Sequence, residues 1–201
     1  MKAQTKETQQ LFTPESVIET LKTGNERFVA NNKLNRDLNN QVSDTSGGQF
    51  PFAVVLSCID SRVPAEIIFD QGIGDIFSVR VAGNVVNEDV LGSIEYGCKV
   101  AGSKSVVVLG HTKCGAVTAA CKHVELGNIT ALLSKIQPAV SKVNKQEVTA
   151  ESIEETAITN VELSVEQIKA ESTILAEMEK NGEINIVGAS YDVATGKVTF
   201  I

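Results

Sequence analysis

The sequence contains no tryptophan and few histidines, cysteines and prolines: two, four and four among 201 residues. Basic side chains are also scarce, and the formal net charge is −7. With no basic stripe to neutralise phosphates, the chain is not expected to bind nucleic acid or an anionic membrane surface. No apolar run approaches the length that spans a bilayer. What remains is an ordinary globular protein, long enough to bury a full hydrophobic core.

The four cysteines could form two disulfides, but a chain of this size does not need them. Cys58 and Cys114 lie in metal-ligand spacing, which favours thiols that are reduced or bound to a metal. Cys98 and Cys121 lie in apolar helical patterns, and we expect both to be buried as small hydrophobic residues.

Residues 1–10, MKAQTKETQQ, are polar and predict a disordered tail before a single domain over residues 11–201. No signal-peptide pattern precedes the domain, so the cytoplasm is the expected compartment. A polar stretch of this kind is also what remains after a signal peptide is removed, in which case the periplasm is expected instead.

Strands and helices alternate along most of the chain. An amphipathic pattern predicts a helix over residues 14–31 with Thr13 as its N-cap, and a polar stretch predicts a loop over residues 32–48. Apolar runs predict strands over the segments 52–57, 75–81, 105–109, 184–189 and 197–201. The segments between them read as helices, including most of residues 129–179. This order predicts an α/β fold, a mostly parallel sheet with helices on both faces and an antiparallel edge.

Two short motifs carry the chemistry, S-C-I-D-S-R at 57–62 and G-H-T-K-C-G at 110–115. They follow the first and third predicted strands, whose carboxyl ends meet at one edge of the sheet. Two thiolates and an imidazole form a zinc ligand set, and three protein ligands leave a fourth position open for chemistry. We therefore predict a zinc site on Cys58, His111 and Cys114.

Asp60 has two possible roles beside this site. It could be the fourth zinc ligand and close a purely structural site, or it could stand back and accept a hydrogen bond from a zinc-bound water. A bidentate pair with Arg62 would orient Asp60 and keep it ionised, which favours the second role. Two thiolates also make zinc a poorer Lewis acid, so this pair is the candidate helper in activating the water.

The two motifs resemble those of the β-class carbonic anhydrases, and the resemblance covers residues 11–201. It includes R-V-P-A-E at 62–66, D-I-F-S-V-R at 75–80, G-S-I-E-Y at 92–96 and Y-D-V-A-T-G-K-V at 191–198. It implies a Rossmann-like sheet of four parallel strands plus an edge strand, with one zinc ion per chain. The implied reaction is the reversible hydration of carbon dioxide to bicarbonate and a proton by zinc-bound hydroxide, with Asp60 and Arg62 as catalytic residues. The implied assembly is a homodimer or homotetramer with an N-terminal helical arm over the neighbouring subunit.

The resemblance also implies a set of substrate-binding residues: Gln49, Phe77, Ala82, Gly83, Tyr96 and Gly115. Gln49 matches a glutamine that points into the partner's active site. Phe77 and Tyr96 match an apolar and aromatic pocket, which narrows at the positions of Ala82 and Gly83. Gly115 follows the second cysteine ligand and could present its N–H to a substrate oxygen.

Three alternatives stay open. The same fold and ligands can serve a hydrolase of carbon disulfide or carbonyl sulfide, and a structural zinc module would hold Asp60 permanently on the metal. A carbonic anhydrase could also close its zinc site at low pH by moving Asp60 onto the metal. Val55 stands where some bacterial members have the tryptophan of a regulatory bicarbonate pocket, so that regulation is not expected here. His123 could relay protons between a zinc-bound water and the buffer, but its position well along a helix after the second motif favours a surface residue.

Overall fold

The computed structural model describes residues 2–145 and 147–201. Its centre is a five-stranded sheet of order β2-β1-β3-β4-β5. The strands are β1 (Ala53–Ser57), β2 (Ile76–Arg80), β3 (Ser105–His111), β4 (Asn185–Tyr191) and β5 (Val198–Phe200). The first four are parallel, and β5 pairs antiparallel with β4. The predicted sheet of four parallel strands plus an antiparallel edge is confirmed.

Helices cover both faces of this sheet. The α-helices are α1 (Lys6–Gln10), α2 (Pro14–Val29), α3 (Leu38–Thr45), α4 (Ala65–Ile68), α5 (Glu88–Glu95), α6 (Gly115–Cys121), α7 (Gly127–Leu133), α8 (Gln137–Val143), α9 (Ala150–Glu171) and α10 (Thr173–Lys180). A 3₁₀ turn spans Ala82–Asn84, and a π-helical turn, Tyr96–Val100, continues α5. Within residues 2–145 and 147–201, none of the helices combines the length and apolar character that a bilayer span requires.

The central strands β1 and β3 are buried along their whole length. Their alternate side chains enter two apolar clusters, one with α2 and α4 and the other with α5, α9 and α10. Burial on both faces explains the continuous valine-rich runs, because no side of these strands meets water. Cys98 joins the second cluster and Cys121 is also buried, as predicted.

The predicted disorder of residues 1–10 is wrong for residues 6–10, which form α1. Thr5 begins the helix with a capping box, in which its side chain accepts from the N–H of Thr8. The buried side chain of Gln9 then anchors it, since the amide nitrogen donates to the carbonyls of Pro51 (2.8 Å) and Ala101 (2.7 Å). Both acceptors are distant in sequence, so the polar composition gave no sign of this contact.

The loop predicted over residues 32–48 is also wrong in part, because it contains α3. Asp37 is the N-cap, and its carboxylate accepts from the N–H of Asn40. The only buried residue of this helix is Gln41, whose side chain accepts from the N–H of Ile73 at 3.1 Å. A helix that docks through one polar side chain shows no apolar periodicity, which is why the pattern suggested a loop.

Gly24, in the middle of α2, has a packing role. A side chain there would collide with the backbone of Phe69, which lies directly against the helix. This close approach lets the neighbouring Asn25 donate to the carbonyls of Ile68 (3.2 Å) and Gly196 (2.9 Å). Helix α2 is thereby tied to α4 and to the turn between β4 and β5.

Candidate metal centre

The three predicted ligands meet at the carboxyl edge of the sheet. Cys58 directly follows β1, as predicted. His111 is the last residue of β3, because this strand extends two residues beyond its predicted end at residue 109. Because β1 and β3 are paired neighbours, their ends bring these two side chains together. Cys114 is the N-cap residue of α6, reached by a tight turn from β3.

The geometry of the three side chains fits a metal ion. Their ligand atoms lie within 4.8 Å of one another, and all three residues are buried. Tetrahedral zinc, with bonds of about 2.0–2.3 Å, needs donor atoms separated by roughly this distance or somewhat less. The surroundings are apolar, with Val85, Val117 and Ile136 among the packed neighbours.

The histidine supplies the sharpest test of fit. His111 Nδ1 lies 2.9 Å from the carbonyl of Thr112, an acceptor, so Nδ1 carries the proton and Nε2 carries the lone pair. Nε2 is fully buried and has no hydrogen-bond partner among the described residues. A buried, unpartnered lone pair beside two sulfurs is explained by a metal ion.

The two thiols influence each other's ionisation. The neighbouring Cys114 thiol lowers the pKa of Cys58, and the backbone N–H of Gly83, 3.3 Å from its sulfur, acts in the same direction, against burial. Cys58 and burial together raise the pKa of Cys114. The two thiols therefore do not ionise independently, and a cation that binds both sulfurs would displace their protons.

Asp60 and Arg62 form the predicted bidentate pair. Arg62 donates Nε to Asp60 Oδ1 (2.9 Å) and Nη2 to Oδ2 (2.7 Å), and its backbone N–H adds a third bond to Oδ1. These bonds hold the pKa of Asp60 well below its usual range, against a smaller opposite effect of burial. Asp60 Oδ2 lies 4.0 Å from His111 Nε2, so the carboxylate faces the ligand cluster.

Two supporting residues were not singled out from the sequence. Arg80, at the carboxyl end of β2, donates Nη2 to the carbonyl of Asp60 (2.6 Å) and Nε to that of Cys58 (3.1 Å). Glu154 of α9 accepts the N–H of Lys113 at 2.8 Å. The position of Arg80 at the same sheet edge was a usable signal, whereas Glu154 lies far along the chain and gave none.

Five of the six predicted substrate-binding residues fall into two groups. Ala82 and Gly83 form the 3₁₀ turn beside Cys58, and Gly115 is the exposed first residue of α6, next to Cys114. Phe77 and Tyr96 pack edge to face, with ring centroids 6.3 Å apart.

Phe77 and Tyr96 line an open groove of about 700 Å³ along β2 and α5, together with Arg80. The three ligands are absent from the described residues that line this groove. Gln49 is exposed in the segment before β1. Within one chain, Ala82, Gly83 and Gly115 therefore lie beside the ligands. The groove lined by Phe77 and Tyr96 is separate from the ligands.

A family model described as carbonic anhydrase matches residues 53–198, which include all three ligands. The chain belongs to the β-carbonic anhydrase family. Carbonic anhydrase 2 of Mycobacterium tuberculosis is 37% identical over 190 residues, which cover 92% of this chain and 91% of that protein. The enzymes of this family are lyases, and their general reaction is the hydration of carbon dioxide.

Solved β-carbonic anhydrases share the fold. One from Aspergillus fumigatus superposes with a TM-score of 0.73 at 23% identity, covering 93% of this chain and 89% of the other. One of two tetrameric enzymes from Sordaria macrospora has a TM-score of 0.71 at 22% identity, covering 78% and 83%. These similarities show that the chain has the same fold as these two enzymes.

Proposed function

We propose that this chain catalyses the reversible hydration of carbon dioxide to bicarbonate and a proton, with one zinc ion held by Cys58, His111 and Cys114. The observation that carries the proposal is the position of Asp60. Its carboxylate faces the three ligands but is engaged by Arg62, which leaves a fourth coordination position open. When bound by Cys58, His111 and Cys114, zinc supplies Lewis acidity and lowers the pKa of a water at the open position towards neutrality.

Asp60 orients the reacting water. As an ionised carboxylate it can accept a hydrogen bond but cannot donate one. Oδ1 is occupied by two bonds from Arg62, whereas Oδ2 receives one and lies on the side of His111 Nε2. Oδ2 is thus the atom that holds the water's proton, so that a lone pair of the water oxygen is directed at the substrate carbon.

Arg62 and Arg80 hold the segment that carries Asp60. Arg62 fixes the carboxylate, and Arg80 binds the carbonyls of Cys58 and Asp60 on either side of Ile59. This loop is therefore preorganised, and its geometry does not have to form during the reaction. Beside it, the exposed N–H of Gly115 is available for an oxygen of carbon dioxide or bicarbonate.

The separate groove points to an assembly of chains. Gln49, Phe77 and Tyr96 are proposed substrate-binding residues, yet among the described residues the ligands do not line the groove of Phe77 and Tyr96, and Gln49 is exposed in a separate segment. A second copy that brings its groove to this site would resolve the discrepancy. We therefore propose a homodimer or homotetramer, supported by the tetrameric state named for the enzymes of Sordaria macrospora. Light scattering during size-exclusion chromatography would measure the mass.

The function is tested by stopped-flow hydration of carbon dioxide with a pH indicator, on protein of known zinc content. Cys58→Ala removes a ligand and is expected to abolish turnover and zinc binding. Cys98→Ala is the matched control, because Cys98 is an equally buried cysteine in the core cluster of α5 and α9, apart from the ligands.

Turnover that requires zinc and is kept in Cys98→Ala would support the proposal. Full zinc occupancy without turnover at any pH would contradict it. Carbon disulfide and carbonyl sulfide would then be tested as substrates, and Asp60 would be examined as a permanent fourth ligand.

A further inference from the structure

The buried side chain of Asn160, on helix α9, lies behind the metal centre. The proposed mechanism does not use this side chain. Asn160 is only 3% exposed and lies on the same face of the helix as Val161 and Ser164, which are also buried. Its amide nitrogen donates to the carbonyl of Gly83 at 2.8 Å. Burying an amide is unfavourable unless it is hydrogen-bonded, so this bond determines where the side chain can lie.

The residue that Asn160 holds is itself bound to a ligand. The N–H of Gly83 donates to Cys58 Sγ at 3.3 Å. Gly83 has a φ of 67°, in the left-handed region, and an added Cβ there would lie 2.7 Å from Ile136 Cδ1. Both backbone polar groups of Gly83 are thus engaged, one by Asn160 and the other by the sulfur, so a rotation of this residue disturbs both bonds.

A second contact from α9 supports the same turn. Ser164, one helical turn beyond Asn160, donates to the carbonyl of Asn160 at 2.8 Å and lies 3.4 Å from that of Asn84. The 3₁₀ turn therefore rests on α9 through two adjacent residues, Gly83 and Asn84. The connection from α9 to Cys58 runs through the side chain of Asn160 and the backbone of Gly83.

We propose that Asn160 is a positioning residue of the metal centre, which orients the Gly83 N–H towards the sulfur of Cys58. This inference rests on the proposed zinc site. An N–H bond to a metal-bound thiolate fixes the direction of the sulfur lone pairs and offsets part of its charge. Loss of such an outer contact typically weakens metal binding by roughly 10- to 100-fold.

Asn25 provides a matched control. It is another buried asparagine, 4% exposed, whose amide nitrogen also donates to main-chain carbonyls, those of Ile68 and Gly196. Its side-chain oxygen additionally accepts from the N–H of Val198, the first residue of β5. Asn25→Ala removes more hydrogen bonds than Asn160→Ala, so it controls for a general loss of stability.

The experiment compares zinc dissociation constants, measured by competition with a chromogenic chelator, in the wild type, Asn160→Ala, Asn160→Asp and Asn25→Ala. We expect Asn160→Ala to bind zinc roughly 10-fold more weakly, and Asn160→Asp more weakly still, because its carboxylate would face the Gly83 carbonyl. Asn25→Ala should bind zinc like the wild type. The sulfur-to-metal charge-transfer band of the cobalt-loaded protein should shift in the Asn160 variants only.

Equal zinc affinity in Asn160→Ala and the wild type would overturn the inference, as would equal weakening in the Asn160→Ala and Asn25→Ala variants. A wild-type protein that binds no zinc would instead contradict the proposed function.

A measurement on the wild type alone decides the matter if the Asn160 variants do not fold. Zinc should slow the exchange of the Asn160 side-chain amide protons and of the Gly83 N–H, measured by NMR, and leave those of Asn25 unchanged. No difference between Asn160 and Asn25 on zinc addition would also overturn the inference.

Discussion

Asp60 and Asp70 are each held by arginine side chains, and they differ in what those arginines connect. Asp60 pairs with Arg62, two residues away in the same loop, and the guanidinium is half exposed. Asp70 is nearly buried and receives bonds from Arg27 of α2 (2.6 Å) and from Arg36, which precedes α3 (2.7 Å). One pair is local and open to the site, and the other joins three segments of the fold.

The difference shows how one kind of ion pair serves two purposes. In both cases hydrogen bonds from arginine lower the pKa of the carboxyl group. At Asp60 the paired carboxylate still faces the ligand cluster, where in the proposed mechanism it accepts a hydrogen bond from the reacting water. At Asp70 the N–H of Leu34 donates a further bond at 3.2 Å, and the carboxylate is buried. We expect the first pair to affect activity and the second to affect stability.

The largest effect is expected from Asp60→Asn. The amide keeps the shape but loses the charge that Arg62 and the reacting water require, and it can present a donor to the water. We expect the rate of carbon dioxide hydration to fall roughly 100-fold, as when other preorganised groups are removed. Stopped-flow assays at full zinc occupancy would measure this. Denaturant unfolding should change by no more than about 1 kcal/mol; a larger loss would mean that this pair also holds the fold.

Asp70→Asn should show the opposite behaviour. It leaves Arg27 and Arg36 without their anionic partner in a buried site, which typically costs about 3–5 kcal/mol. The free energy of unfolding in urea would measure the loss, with the exposed Asp44→Asn as a control. Below the unfolding transition the hydration rate should match that of the wild type. A variant as stable as the wild type would remove the structural half of the comparison.

The contribution of Asp70 to stability is also expected to depend on pH. Burial alone would raise the pKa of Asp70, but bonds from Arg27, Leu34 and Arg36 outweigh it, and the folded pKa lies below the ordinary 3.8. A lowered folded pKa contributes stability above the unfolded value, and that contribution is lost as the pH falls from 3.8 through the folded pKa. Asp75, 4.0 Å from Arg36, has a pKa raised by burial, so its protonation on acidification opposes the loss.

We therefore expect the unfolding free energy of the wild type to fall more steeply below pH 4 than that of Asp70→Asn. Chemical denaturation at a series of pH values, each on both proteins, isolates the contribution of Asp70. Parallel curves for the two proteins would show that Asp70 does not titrate differently in the folded state.

The smallest effect is expected from Glu154→Gln, which tests how local the Asp60 pair is. Arg62 Nη2 lies 3.4 Å from the carbonyl of Lys113, whose N–H is bound by Glu154. Glutamine keeps the acceptor oxygen and loses only its charge, so hydration should change by about 1 kcal/mol in barrier at most. A loss as large as that of Asp60→Asn would show that the loop depends on α9 and is not self-contained.

Much of this architecture was readable from the sequence because its signals are local. The valine-rich runs predicted the buried strands, and the spacing within each motif predicted Cys58, His111 and Cys114, which the structure brings together. The bidentate pair of Asp60 and Arg62 was equally accessible, since both residues lie in one loop.

The missed features depend on contacts between distant segments. Helices α1 and α3 are polar and dock through the single side chains of Gln9 and Gln41, so neither has an apolar stripe. Asn160 was hidden for the same reason, because its partner Gly83 lies on another element. A polar residue between the apolar Ala157 and Val161 was the one available sign, and it carries no information about its acceptor.

The pairing of β1 with β3 has a consequence for the order in which the molecule assembles. Of the three proposed ligands, only His111 and Cys114 are close together in the unfolded chain, since Cys58 reaches them through the adjacent strand ends. β2 and α5 lie between these strands in sequence, so the third ligand arrives after a long loop has closed. At the proposed site, zinc would therefore bind with full affinity only late in folding, and we expect it to stabilise the finished sheet and not to nucleate it.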